Sequence, residues 1–147
     1  MASKLDLTGD IASAVDSAVE RSRSLVVGYV GEDGHAALSY RGSAQVRGPE
    51  QLAIWARKAD GGIATAIGPH PQVSLLYYSP DGPGPRYLSF LGQAHVDPSA
   101  NDEVYEKMVE AERNADPDRG GVAIIIDVDS VNGFGADGPF RMERGAA

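Results

Sequence analysis

The sequence has no cysteine in 147 residues, which excludes disulfides, thiolate nucleophiles, iron–sulfur clusters and cysteine zinc sites together. Nothing suggests a secreted, disulfide-stapled framework, so the expected address is cytoplasmic. Long apolar runs are also lacking. No stretch approaches the roughly 20 residues of a spanning helix, and Met1 to Asp10 carries no apolar segment behind a basic one, so neither a membrane anchor nor an export signal is expected. Basic charge is scarce: 13 Lys and Arg stand against 21 Asp and Glu, a formal net charge of −8. That balance repels a phosphate backbone, so nucleic acid is not an expected partner, although one local basic pocket for a small phosphate is compatible with it. No Gly-x-Ser-x-Gly nucleophile elbow occurs. His35, His70 and His95 fall in a turn, before a proline and on a strand, without the paired spacing of a zinc motif, and no metal site is expected. The acidic residues of segment 99–118 read as a solvated face, and no catalytic acid or base is assigned.

Hydrophobic residues make up 42% and charged residues 23% of the chain, ordinary proportions for a globular protein, and the length suits one domain over 1–147. Thr8 or Asp10 can cap a first helix over 8–22, with Ile11, Val15, Ala18 and Val19 at helical spacing. From Ser24 the period shortens. Leu25 to Val30 reads as a strand, Glu32-Asp33-Gly34 as a tight turn and His35 to Arg41 as the antiparallel return. Leu52 to Ala56, Val73 to Tyr78, Tyr87 to Leu91 and Val122 to Ile126 are further β-branched or aromatic runs, and Phe134 to Met142 is a candidate seventh strand. Asp60 can cap a short helix over 60–68, and Ser99 a helix over 99–113 with Val104, Tyr105, Met108 and Val109 as its stripe. Barrel strands over 24–97 and final strands over 122–143 complete the division. The expected class is mainly β with peripheral helices (α+β): a six- to seven-stranded antiparallel split β-barrel.

The order of motifs from Ile54 to Leu76 carries more information than any one of them. A strand is followed by the basic pair Arg57-Lys58, the turn Asp60-Gly61-Gly62, a short helix, and the opening His70-Pro71-Gln72-Val73-Ser74-Leu75. Together with Arg86 to Ala94, ending in Gly92-Gln93-Ala94, and the opening hairpin, this order resembles the flavin-binding split-barrel superfamily of pyridoxamine 5′-phosphate oxidases and deazaflavin-dependent reductases. The resemblance covers roughly Leu25 to Asp129. It implies a homodimer binding flavin mononucleotide (FMN) at the subunit interface, with basic side chains and helix-start backbone on the phosphate, and oxidoreductase chemistry on a small-molecule substrate. The resemblance further implies cofactor contacts from Ser39, Tyr40, Arg41, Ser43, Trp55, Ala56, Arg57, Lys58, Gly61, Gly62 and Ile63.

The sequence also departs from the oxidase pattern. Where the helix start reads Ser-Arg-Lys in that pattern, Asp60-Gly61-Gly62-Ile63 stands here, leaving Arg41, Arg57 and Lys58 as the available cations. The chain ends at Phe140 to Ala147, too short for the basic substrate-binding terminus of a true pyridoxamine phosphate oxidase. Two alternatives therefore stay open: a reductase using the deazaflavin coenzyme F420, or a non-catalytic split-barrel protein with another ligand or no cofactor. Arg57 and Lys58 equally read as solvated charges after a strand, Gly61-Gly62 as a plain turn and Trp55 as a core aromatic. Trp55, Phe90 and the first helix offer candidate apolar faces for a dimer partner. If the backbone angle at Gly62 suits a side chain, Gly62→Glu is expected to keep or slightly gain stability without ligand and, with Gly61-Gly62 as the anion cradle, to lose cofactor affinity strongly.

Overall fold

A computed structural model describes residues 2–81 and 83–147. Its strands are β1 (Ser3–Lys4), β2 (Leu25–Val30), β3 (Ala36–Arg41), β4 (Gln45–Arg47), β5 (Gln51–Ala56), β6 (Gln72–Tyr78), β7 (Tyr87–Val96), β8 (Val122–Gly135) and β9 (Gly138–Glu143). They form one mixed nine-stranded sheet in the order β1-β9-β8-β7-β6-β2-β3, with β5 also pairing β8 and β4 pairing β5. The sheet is thus mainly antiparallel as expected, but it has nine strands rather than six or seven. The β1–β9 pair is parallel.

The long β8 makes this arrangement possible. Its first half pairs with β5 on one side and with Gly92 to Val96 on the other, whereas its second half pairs with β9 and with Tyr87 to Leu91. Between the halves the register shifts at Leu91/Gly92, so that β8 changes neighbours across an irregularity of the kind that bends a strand. Two of the three edge strands, β3 and β4, are joined by only Gly42-Ser43-Ala44, which brings those two edges close together. Alternate residues of β2, β6 and β7, including Leu25, Val27, Leu75, Tyr77, Leu88 and Phe90, fill the enclosed core with Leu52, Ile54, Ile124 and Ile126.

β5 is buried on both faces, which accounts for its unbroken apolar run. Leu52, Ile54 and Ala56 point into the main core. Ala53 and Trp55 point outward into a second cluster with Val104, Tyr105, Met108, Ala123 and Ile125, under the helix α3 (Asn101–Lys107). Trp55 and Phe90 are therefore interior residues, and the expectation that they face a partner is corrected.

The helices are shorter than their periodicity predicts. α1 spans Asp10–Asp16 and starts at Gly9 with no side-chain cap, so neither Thr8 nor Asp10 caps it; the Thr8 N–H and hydroxyl are held by Asp6. Its apolar residues Ile11, Ala14 and Val15 are buried, leaving no free apolar face. α2 spans Ile63–Ala66 and starts at Gly62 rather than Asp60. The segment expected as one helix over 99–113 is three pieces: a 3₁₀ turn Pro98–Ala100 begun by Asp97, α3, and α4 (Glu110–Asn114), with Met108 and Val109 extended between the last two. Asp97, whose carboxylate accepts from Ser99 N–H, takes the capping role expected of Ser99. The hairpin turn is as read: Gly31 N–H donates to His35 O, and Gly34 adopts φ 84°. Among the described residues no helix is long and apolar enough to cross a membrane.

Candidate functional site

Between β3 and the end of β5, beside the link that joins β3 to β4, lies a cleft of about 320 Å³. Ser39, Arg41, Ser43, Trp55, Arg57 and Lys58 line it, with Tyr40 at its rim and Gly42 and Glu112 closing one side. The placement follows from strand alternation. Arg41 and Ser39 lie opposite Leu25 and Val27 of β2, both fully buried, so they share the inward face, while Leu38 and Tyr40 point outward. Arg57 and Lys58 follow directly where β5 ends.

Two polar atoms in the cleft are buried without a hydrogen-bond partner: Ser39 Oγ and Arg41 Nε. Buried groups of this kind are costly unless something satisfies them. Burial holds the Arg41 guanidinium below its ordinary pKa, and Arg57 adds to the effect, whereas Tyr29 and Glu112 oppose it. In a chain of net charge −8, this local concentration of Arg41, Arg57 and Lys58 favours an anion. The Glu112 carboxylate, 3.5 Å from Arg57 Nη2, is the acidic group facing them.

Tyr40 also belongs to a second depression on the outer face of the sheet, about 480 Å³, lined by Ser22, Arg23, Ser24, Val26, Leu76 and Tyr78. The two meet at Tyr40, giving one cationic end and one aromatic end. A larger cavity of about 640 Å³ lies beside α1 and Tyr77. Of its two arginines, Arg21 is already engaged by Ala14 O, Ser17 Oγ and Tyr77 Oη at 2.7 to 2.9 Å, and Arg23 stands 3.7 Å from Asp81, so that cavity offers a ligand less than the cleft does.

Of the residues the sequence assigned to cofactor binding, Ser39, Tyr40, Arg41, Ser43, Trp55, Arg57 and Lys58 are brought together around the cleft. Within this group, Ser43 Oγ is committed to Trp55 backbone, accepting from its N–H at 2.9 Å and donating to its carbonyl at 3.4 Å. The Trp55 indole lies edge-on to Tyr105, 5.3 Å between centroids, and donates to Asp116 Oδ2 at 2.8 Å. Its ring thus serves mainly as the core aromatic that the plainer reading anticipated. Ala56 and Ile63 are buried in the main core, and Gly61 and Gly62 lie outside the lining. A Cβ at Gly61 would press on the Lys58 stem.

Sequence reasoning missed Gly42, Glu112 and the outer-face residues Arg23, Val26, Leu76 and Tyr78. Glu112 corrects the expectation that segment 99–118 is simply a solvated face, since its side chain is only 18% exposed. No local pattern marks it, because its position depends on the break at Met108–Val109.

No family model matches the chain, and no curated protein matches it. Solved structures do. The chain is similar to a protein related to general stress protein 26, of the pyridoxinephosphate oxidase family, from Clostridium acetobutylicum, at 14% identity and TM-score 0.62 over 87% of this chain and 90% of that one. It is similar to a pyridoxamine 5′-phosphate oxidase-related, FMN-binding protein from Nostoc punctiforme at 17% identity and TM-score 0.63, covering 92% and 86% respectively. An F420 reductase matches at 21% identity and TM-score 0.57, covering 79% of this chain and 94% of that one. This likeness shows that the chain shares the fold of these pyridoxamine 5′-phosphate oxidase-related structures.

Proposed function

We propose that the protein is a split-barrel flavoprotein that binds FMN, or a deazaflavin of the F420 type, in the cleft between β3 and β5, and acts as an oxidoreductase on a small molecule. One observation carries the reading: Arg41 Nε and Ser39 Oγ are buried without partners in the wall of a cleft that also holds Arg57 and Lys58. An anionic phosphate supplies the acceptors that the guanidinium lacks, and charge-assisted bonds of this kind are the strong ones. The outer depression beyond Tyr40, walled by Val26, Leu76 and Tyr78, suits the apolar faces of a fused ring. When bound, a flavin or deazaflavin supplies the hydride and electron chemistry itself, so the chain's residues need only hold and orient it. Arg41, Arg57 and Lys58 would anchor the anionic end, and Tyr40 and Tyr78 would shield the ring from water.

The protein acts as a homodimer in this reading. The outer face of the sheet carries Leu38, Tyr40 and Tyr78 at 75%, 77% and 60% exposure, with Leu76, Leu91 and Phe134 beside them, a patch of the kind that marks an interface. The reading places the protein in the cytoplasm, as one domain, with no nucleic-acid or membrane partner and no metal.

Titration of the purified protein with FMN and with F420, followed by flavin fluorescence and absorbance, tests the proposal. Arg41→Ala and Arg57→Ala are each expected to weaken binding by about 1.5–3 kcal/mol, the range for a hydrogen bond to a charged group. Binding of neither cofactor by the parent protein would remove the flavoprotein reading. Binding of F420 alone would select the deazaflavin branch.

A further inference from the structure

We propose that Glu112 is a chain-held competitor in the cleft: its carboxylate stands where the ligand's anionic group goes, and its side chain leaves Arg57 when the ligand binds. The inference rests on the reading of the cleft as an anion site and adds to it how that site is kept when empty of ligand.

Glu112 belongs to α4, a five-residue helix none of whose residues is buried. Its own side chain is nevertheless only 18% exposed, because it folds down over the β3–β4 link. Gly42 there has no side chain, and a Cβ at that position would fall onto the Glu112 carboxylate and crowd Val19. The carboxylate therefore reaches the cleft only over a glycine. Its partner is Arg57, at 3.5 Å, a loose contact for an ion pair. Behind it Arg41 keeps its Nε buried and unpartnered. Glu112 thus lowers the cost of assembling three cations without satisfying them fully.

A ligand phosphate carries roughly −1.5 to −2 charge at pH 7 and three acceptor oxygens, and it can satisfy both arginines where one carboxylate does not. With Glu112 in place it would meet a like charge in a partly desolvated cleft, which disfavours both. Met108 and Val109 are extended at ψ 151° and 155° between α3 and α4, and α4 is tied back to α3 by Tyr105 Oη, which donates to Arg113 O at 3.0 Å. The Glu112 side chain therefore leaves Arg57 by turning about its own bonds, with Tyr105 and α4 staying in place.

FMN and inorganic pyrophosphate titrations of the full chain, its Glu112→Gln and Glu112→Ala variants, and both in an Arg57→Ala background test this. Each Glu112 variant is expected to bind both probes about tenfold more tightly than the parent, and the gain should vanish when Arg57 is absent, a coupling that a purely structural role of Glu112 would not produce. Circular dichroism confirms folding of each variant, and Glu112→Ala carries the test if Glu112→Gln does not fold. Parent and variants binding FMN equally would overturn the competitor role while leaving the flavin reading standing. Failure of both parent and variants to bind any probe would overturn the two together.

Discussion

Gly62 is held at φ 56° and ψ −133° at the start of α2, a conformation that only glycine adopts without strain. Space is not the obstacle, because a Cβ there would meet no atom within 4 Å. The condition under which an acidic residue would be tolerated at position 62 is therefore not met. Gly62→Ala and Gly62→Glu are both expected to lower stability by about 1–3 kcal/mol, read as a reduced urea midpoint with an unchanged slope. FMN affinity should stay within twofold in either variant, since Gly62 lies outside the cleft lining. At this scale the sequence showed that a glycine pair sits before a helix. It did not show the sign of φ, which is set by how the chain must turn from Lys58 into the core at Ile63.

Among the elements, the loop after α4 is tied to β5 by one carboxylate. Asp116 accepts from the Trp55 indole at 2.8 Å and from the Gly120 and Gly121 amides at 3.0 and 2.9 Å. Burial pushes its pKa up, but these three hydrogen bonds and the charge of Arg57 outweigh burial and hold it below the usual carboxylate range. A depressed folded-state pKa contributes stability that is present above the unfolded value, about 3.9, and lost as pH falls through the folded value. The parent should lose stability on acidification below about pH 4. Asp116→Asn should start lower at neutral pH and show a shallower acid loss, the two urea curves converging at the acid end. Asp6 and Asp97, also depressed, by hydrogen bonds from Thr8 and Ser99 respectively, keep the variant's loss from vanishing. Elements such as the β2–β3 hairpin were legible because their turn chemistry is local. β4 was not: three residues give no period, and buried Gln45 is there because its Nε2 donates to Val104 O across 59 residues. The division of 99–113 into three pieces was equally hidden, since Val104, Tyr105 and Met108 read as one stripe whether or not the chain breaks after them.

For the whole molecule, the question is what covers the outer face of the sheet. Leu38 extends over Gly28 of β2, at the opposite end of the sheet from Phe134 and Phe140, and exposed apolar side chains occur all the way between them. If a second copy covers this face, Leu38→Glu should shift the protein toward monomer in light scattering, raising the dimer dissociation constant at least tenfold, about 1.4 kcal/mol. A monomeric parent at micromolar concentration would remove the dimer from the proposal. The net charge of −8 does not oppose such pairing strongly where the contact is apolar and the charges lie elsewhere, beyond a Debye length of about 8 Å at physiological salt.

The sequence by itself determined the mainly β character of the chain, most of its strands and the motif order that resembles the flavin-binding split barrels, because alternation, turn residues and strand order are properties of neighbours along the chain. It also supplied the cations, Arg41, Arg57 and Lys58. Only the tertiary structure decided that Ser39 and Arg41 share the inward face in the cleft wall, that Trp55 turns its ring to Tyr105, and that Glu112 reaches Arg57 from 55 residues away. Those outcomes depend on the bend in β8, on the edge strands β3 and β4 being joined through Gly42, and on the break after α3. Each is a long-range consequence of folding one sheet around one core, and no window of adjacent residues encodes it.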